Sequence, residues 1–195
     1  MCFSAAFWNE RYQNNQTGWD LNGPSTPLKE YIDQIEDKNI RILIPGCGNA
    51  YEAEYLIQQG FTSITLVDIS DVLVNNLKEK FIDNPSINII NQDFFDLDGN
   101  FDLILEQTFF CALSPSLRTN YVNKIHDLLA PNGLLVGVLF QVDFGQPYPP
   151  FGGSKVEYKN LFSEKFKIEK LETCYNSIKP RKGSELFIQF RKTNK

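Results

Sequence analysis

The sequence predicts an α/β fold of the three-layer, Rossmann-like kind, with a mostly parallel sheet between helices. Three observations carry the prediction. Ile40, Ile42, Leu43 and Ile44 form a β-branched apolar run without clean alternation, which suits a strand covered on both faces. Gly46 and Gly48 end that strand abruptly, and a helix follows from near Asn49. Strand and helix patterns then alternate along the chain, the order that builds a parallel sheet through crossover connections.

The first forty residues are the least regular. Phe7 to Tyr12 reads as a short helix, Thr17 to Asp20 with Pro24, Ser25, Thr26 and Pro27 as a loop, and Leu28 to Glu36 as a helix leading into the first strand. Both tryptophans lie here, and Trp8, Tyr12 and Trp19 suggest an arm that packs across the domain, as a hydrophobic anchor or as a lid over a cofactor. Aromatic faces there would also attract a sulfonium cation. Tyr51 to Gly60 is the next helix, Ile64 to Asp68 the second strand, and a helix opens at Ser70 with Val72, Leu73, Leu77 and Phe81 near helical spacing.

Pro85 and Ser86 turn the chain into a third strand, Ile87 to Asn91, which ends in Gln92, Asp93, Phe94 and Phe95. A fourth strand, Phe101 to Glu106, runs on toward Leu113, and Pro115 opens a helix that continues to Leu129. The sole histidine, His126, sits beside the apolar stripe of that helix and reads as structural. Pro131, Asn132 and Gly133 predict a turn into a fifth strand, Leu134 to Phe140. A loop rich in Pro, Gly and aromatics, Gln141 to Gly153, follows over the same edge. A helix from Lys155 to Phe162 and two strands, Phe166 to Thr173 and Glu185 to Arg191, close the chain as an antiparallel hairpin edge.

The glycine turn and the second strand point to a ligand. Without a Cβ, Gly46 and Gly48 let the backbone take unusual dihedrals and let a ligand approach, while the following helix presents unpaired N–H groups. Gly-x-Gly alone also serves an ordinary strand-to-helix turn. Asp68 changes the balance. It falls about twenty residues past the glycines, where nucleotide-binding α/β folds place an acceptor for ribose hydroxyls. The position three after Gly48 is Tyr51, where a dinucleotide turn would want a small residue. A ribose-bearing ligand without a pyrophosphate, such as S-adenosylmethionine (SAM), therefore fits better than a nicotinamide dinucleotide.

The 195 residues, 42% apolar and 13% aromatic, suffice for one compact domain: residues 1–38 as N-terminal arm and lid, residues 39–195 as Rossmann-like core. A net charge of −5 and a pI of about 5.0 argue against a general nucleic-acid or anionic-membrane partner. Cys2, Cys47, Cys111 and Cys174 show neither zinc spacing nor a disulfide frame, and no stretch reads as a signal or membrane span. A soluble, cytoplasmic monomer acting on a small molecule, without a metal, is expected.

Trp8, Tyr12, Thr17-Gly-Trp19-Asp20, Thr26-Pro27, Ile44-Pro-Gly-Cys-Gly48, Val67-Asp-Ile-Ser70, Gln92-Asp-Phe-Phe95, Phe101-Asp-Leu-Ile104, Phe110-Cys-Ala-Leu113 and Pro131-Asn-Gly133 follow one another in an order that resembles the thiopurine S-methyltransferase family. The similarity is closer to its plant thiol and halide (thiocyanate) methyltransferase branch. The resemblance implies a class I SAM-dependent methyltransferase fold, with a seven-stranded sheet whose last strand is antiparallel. It implies cofactor contacts at Trp8, Tyr12, Trp19, Gly46, Gly48, Asp68, Ile69, Asp93, Phe94 and Gln107, with Asp68 on the ribose and Asp93 and Phe94 on the adenine.

The residue after the strand-four acid is tyrosine in the plant branch and arginine in the thiopurine branch; here it is Gln107, and Phe140 stands where the plant branch has a tyrosine. Glu106, as proton acceptor or substrate orienter, and Phe140 are the candidate catalytic residues. Glu106 reads equally as a rim carboxylate paired with Arg11 or Arg118. The implied reaction is attack by a small thiol, thiopurine-like compound, halide or thiocyanate on the methyl of SAM, with S-adenosylhomocysteine as product. Attack and departure neutralise charge, so a closed, apolar pocket walled by Phe109, Phe110, Phe140, Tyr148 and Phe151 would favour it without a strong base. O- or N-methylation of a small metabolite and non-catalytic SAM binding remain open.

Overall fold

The structure, a computed structural model, describes residues 3–193, so Cys2 lies outside the described residues. Its helices are α1 (Ala5–Gln13), α2 (Thr26–Ile32), α3 (Tyr51–Gln58), α4 (Asp71–Lys80), α5 (Arg118–Leu128) and α6 (Lys155–Phe162). The strands are β1 (Ile42–Pro45), β2 (Ile64–Asp68), β3 (Ile87–Asn91), β4 (Phe101–Gln107), β5 (Leu129–Phe140), β6 (Phe166–Thr173) and β7 (Glu185–Lys192). They form one seven-stranded sheet in the order β3-β2-β1-β4-β5-β7-β6. β1 to β5 pair in parallel, while β7 lies antiparallel between β5 and β6. This is the expected mixed sheet with its last strand reversed.

The non-alternating apolar strands are explained by two cores, one on each face. Ile42, Ile44, Leu66, Leu103, Leu105 and Val136 face one side and pack with Leu28 and Ile32 of α2, Ala53 and Leu56 of α3, and Leu73 and Leu77 of α4. Leu43, Val67, Ile104, Leu135 and Leu139 point to the other side, into an aromatic layer with Phe110, Tyr121, Tyr158, Phe162 and Phe190. Successive strand residues point to opposite faces, so both parities must be apolar when helices cover both sides. The helix expected over Leu28 to Glu36 starts earlier and ends at Ile32: Pro27 sits at its N-terminus after Ser25, where a missing N–H costs nothing.

Pro131-Asn-Gly133 is not a separate turn. Strand pairing with β4 starts at Leu129 opposite Phe101 and resumes at Leu134 opposite Leu103, so the three residues are an irregularity within β5. Asn132 takes the left-handed conformation that lets the extra residues loop out. The helix expected from Pro115 opens as a short 3-10 turn, Pro115–Leu117, and becomes α-helical at Arg118. No helix among the described residues is long and apolar enough to cross a membrane.

Candidate active site

The carboxyl ends of the parallel strands open into one cavity of about 660 Å3. That size suits a small-molecule ligand. At the end of β1, Gly46 and Gly48 both adopt positive φ, +55° and +51°. The Gly46 N–H donates to the Val67 carbonyl at 2.8 Å, which fixes the turn against β2. A Cβ on Gly46 would lie 2.1 Å from Cδ2 of Phe109, so only glycine permits this approach of β1 to the β4 loop.

Asp68 and Ile69 line the cavity at the end of β2. One oxygen of Asp68 accepts the Ser70 N–H at 2.9 Å. Desolvation pushes its pKa up to about 6, opposed by the N–H groups of Ser70, Gly48 and Ile69. At the end of β3, Asp93 accepts the Phe95 N–H at 2.9 Å and caps a 3-10 turn. Asp93 and Phe94 both line the cavity, Phe94 with its ring 5.2 Å from that of Phe109.

The arm closes the same space. Trp8 and Tyr12 of α1 meet Trp19 edge to face, with ring centroids 5.5 and 5.8 Å apart, and all three line the cavity. Helix α1 buries none of its residues in the core. Polar ties also hold it: Asn9 accepts from the Ser70 hydroxyl at 2.6 Å and donates to Asp71 at the start of α4. Asp20 in the following loop accepts from Asn49 and from the Tyr51 hydroxyl. All three rings face the cavity, and Tyr12 also packs against the core on the α2 and α3 side of the sheet.

At the end of β4, neighbouring residues part company. Glu106 is fully buried and does not line the cavity. Its carboxylate accepts the Phe110 N–H at 3.0 Å and the Tyr121 hydroxyl. Burial pushes its pKa up to about 7. It meets neither Arg11 nor Arg118; its side chain points from the sheet into the α5 layer and braces the loop behind the cavity. Gln107, one residue on, points the other way and lines the cavity. Arg118 instead meets Glu157 and the Gly152 carbonyl, at 2.7 Å for the latter.

Phe140, at the end of β5, is a cavity wall, as are Phe109 and Tyr148. Phe110 and Phe151, expected beside them, are not. Phe110 packs behind the wall against Tyr121 and Tyr158, and Phe151 donates its N–H to the Cys111 carbonyl. His126 lies far from these groups, its ring nitrogen 3.3 Å from the Thr193 carbonyl. No cluster of potential metal ligands occurs among the described residues.

Two cationic side chains line the cavity, Arg11 without the Glu106 pairing that the sequence suggested and Arg181 with no sequence expectation at all. Arg11 lines the cavity from α1, and Arg181 from the loop before β7. The Arg181 guanidinium sits 5.2 Å from the Phe140 ring centre, donates to the Trp19 carbonyl at 2.8 Å and pairs with Glu185 at 3.2 Å. Nothing local in the sequence marks Arg181. It reaches the site because β7 runs antiparallel and places Glu185 beside Phe140. Thr108 also lines the cavity, with φ of +60°, a conformation that a β-branched residue rarely adopts.

A model of the family described as thiopurine S-methyltransferase matches residues 3–192. The chain belongs to the thiopurine S-methyltransferase family. It is 29% identical to a probable thiol methyltransferase 2 of Arabidopsis thaliana over 98% of this chain and 87% of that protein. It is 26% identical to a thiopurine S-methyltransferase of Acinetobacter baylyi, covering 91% and 92%. Among solved structures, a Burkholderia thailandensis 1,6-didemethyltoxoflavin-N1-methyltransferase with bound S-adenosylhomocysteine superposes with a TM-score of 0.78 at 19% identity, covering 97% and 87%. Membership of a methyltransferase family makes SAM the cofactor, and the cavity fits it: a glycine turn too close for a Cβ, and a carboxylate at the end of the next strand.

Proposed function

We propose that this member of the thiopurine S-methyltransferase family methylates a small, soft nucleophile, namely a thiol, a thiopurine-like sulfur, a halide or thiocyanate. The observation that carries this reading is the character of the cavity beyond β4 and β5. Its walls there include Phe109, Phe140, Phe144, Tyr148, Pro149 and Pro150, beside the amides of Gln107 and Gln146, the hydroxyls of Thr108, Ser114 and Ser184, and the Arg181 guanidinium. Those groups orient an anion and take no proton from it, so an acceptor that arrives already ionised matches them.

When bound, SAM supplies an electrophilic methyl group and departs as S-adenosylhomocysteine. Gly46 and Gly48 admit its amino-acid end, Asp68 accepts from its ribose hydroxyls beside Ile69, and Asp93 and Phe94 hold the adenine. Trp8, Tyr12 and Trp19 close over it and exclude water, so residues 1–38 act as a lid on the core of residues 39–195. Exclusion of water matters because an anion and a sulfonium lose their charges together, and a dry pocket opposes that loss least. The free thiols of Cys47, Cys111 and Cys174 support a reducing, cytoplasmic setting, and the net charge of −5 supports a monomer that serves a small acceptor and no nucleic acid.

Calorimetric titration with SAM and S-adenosylhomocysteine, followed by turnover with thiols, thiocyanate, iodide, phenols and amines, tests the reading. Binding of both and turnover confined to sulfur or halide acceptors is expected. Failure to bind either ligand refutes the cofactor assignment. Turnover of phenols or amines alone makes this an O- or N-methyltransferase, and binding without any turnover makes it a SAM-binding protein.

A further inference from the structure

The loop between β5 and α6 is clamped at its base and free at its tip. At the base, the Gly152 carbonyl accepts from Arg118 of α5 at 2.7 Å, and the Phe151 N–H donates to the Cys111 carbonyl at 2.6 Å. Arg118 is buried, pairs with Glu157 of α6 and lies over the Phe110 ring at 5.0 Å. The two ends of the loop touch at a neck. A Cβ on Gly152 would lie 1.4 Å from the Val142 carbonyl oxygen, so no larger residue leaves the neck closed. A Cβ on Gly153 would lie 2.5 Å from the Tyr158 hydroxyl, which donates to the Phe140 carbonyl at 2.6 Å.

The tip has no such ties. Among the described residues, no hydrogen bond joins residues 143–150 to the rest of the chain; their bonds are local, from the Gly145 N–H to Asp143 and from the Gln146 amide to the Pro150 carbonyl. Phe144 and Tyr148 are 39% and 50% exposed, yet both line the cavity with Gln146, Pro149 and Pro150. Apolar surface left half in water at a cavity wall gains by being covered. The tip stands beside β5, with the Phe144 ring 5.2 Å from that of Phe140, whereas Asp68 and Asp93 follow β2 and β3 at the other side of the sheet. What covers the tip is therefore the methyl acceptor and not the adenosine.

Resting on the methyltransferase reading above, we propose that residues 143–150 form a flap that closes over a ring-bearing acceptor, and that Arg118 is the positioning residue that holds its base from behind the cavity. Neither Arg118 nor Gly152 lines the cavity. Arg118 keeps its Nε without a partner among the described residues, and a buried ion pair seldom adds stability over apolar packing, so its bond to a loop carbonyl serves placement of the loop. A fixed neck lets Phe144 and Tyr148 move as one unit onto an acceptor ring. The clamp thus favours ring-bearing acceptors over small ones and leaves the cofactor end unchanged.

The test uses the whole protein as parent, Arg118→Met, Arg118→Lys and Gly152→Ala. Steady-state methylation of thiophenol and of methanethiol is measured beside calorimetric SAM affinity. Hydrogen exchange of the amides between Asp143 and Tyr148 is followed in the S-adenosylhomocysteine complex with and without thiophenol. The parent amides are expected to exchange freely until thiophenol is added and then to slow. Arg118→Met and Gly152→Ala are expected to lose that slowing and to raise the KM for thiophenol about tenfold, on the order of one aromatic contact. The KM for methanethiol and the SAM affinity are expected to stay within about twofold of the parent. Arg118→Lys, which keeps a donor for the Gly152 carbonyl, is expected to recover part of the loss. Gly152→Ala leaves the ion pair in place and carries the test if Arg118→Met does not fold.

Parent amides already protected before thiophenol is added would mean a fixed tip and overturn the flap. Equal rises in KM for the two thiols, or a matching loss of SAM affinity, would make the clamp merely structural and also overturn it. If the parent binds SAM but methylates neither thiol, this proposal falls while the cofactor assignment stands. If the parent binds no SAM, the methyltransferase reading falls first.

Discussion

Replacing Glu106 by glutamine should change the pH dependence of stability and spare methyl transfer. The carboxyl is fully buried and holds two partners, the Phe110 N–H at 3.0 Å and the Tyr121 hydroxyl. Desolvation raises its pKa from 4.5 to about 7, so the folded protein keeps the proton more tightly than the unfolded chain does. Between those values the unfolded state binds fewer protons than the folded state, and stability falls as pH rises. The favourable contribution is complete below about pH 4.5 and lost by about pH 7 to 8. The gap corresponds to about 3 kcal/mol.

Glutamine at this position is neutral at every pH, keeps an oxygen for the Phe110 N–H, and offers an N–H to the Tyr121 oxygen. Urea unfolding at pH 5, 6, 7 and 8 should therefore show Glu106→Gln gaining on the parent protein as pH rises, by up to about 3 kcal/mol over the range. Asp68, whose pKa also rises, slopes the same way in both proteins and cancels in the difference. A difference that does not vary with pH would refute the linkage. A well-folded Glu106→Gln protein that binds SAM and has lost turnover would restore Glu106 as a proton acceptor and refute its structural assignment.

Three further outcomes are expected. SAM affinity should fall as pH drops below about 6, because ribose hydroxyls donate best to an ionised Asp68, while Asp68→Asn should bind about 1 to 3 kcal/mol more weakly at pH 7.5 and show a flat profile; calorimetry at pH 5 and 7.5 decides, and a flat parent profile removes Asp68 from the ribose. Gly46→Ala, with its Cβ 2.1 Å from Phe109 and φ at +55°, should cost about 1 to 3 kcal/mol in backbone strain alone, beyond which Phe109 must move; an unchanged Tm and unchanged SAM affinity would contradict the geometry. Trp19→Ala should lose two edge-to-face contacts worth about 0.5 to 1.5 kcal/mol each and weaken SAM binding; a drop in Tm with affinity intact would return the arm to simple anchoring.

What the sequence by itself determined is what depends on near neighbours along the chain. The unbroken apolar strands announced a sheet covered on both faces, and Gly46, Gly48 and Asp68 announced the ligand end of it, because a strand-terminal turn and the acid at the end of the next strand are local features with a fixed relation in parallel sheets. The aromatic arm was legible for the same reason: tryptophans outside any strand pattern need something to cover.

Only the tertiary structure decided the rest. Glu106 and Gln107 are adjacent, and side chains alternate across a strand, so one of them had to face the cavity; packing of Tyr121 from α5 claimed Glu106 and left Gln107 to the ligand side. Phe110 was drawn into the same layer by Tyr121 and Tyr158. Arg181 entered the site from the far end of the chain because β7 inserts antiparallel between β5 and β6 and returns its first residues to the carboxyl edge of the sheet, a placement fixed by strand pairing over long separation and by no motif.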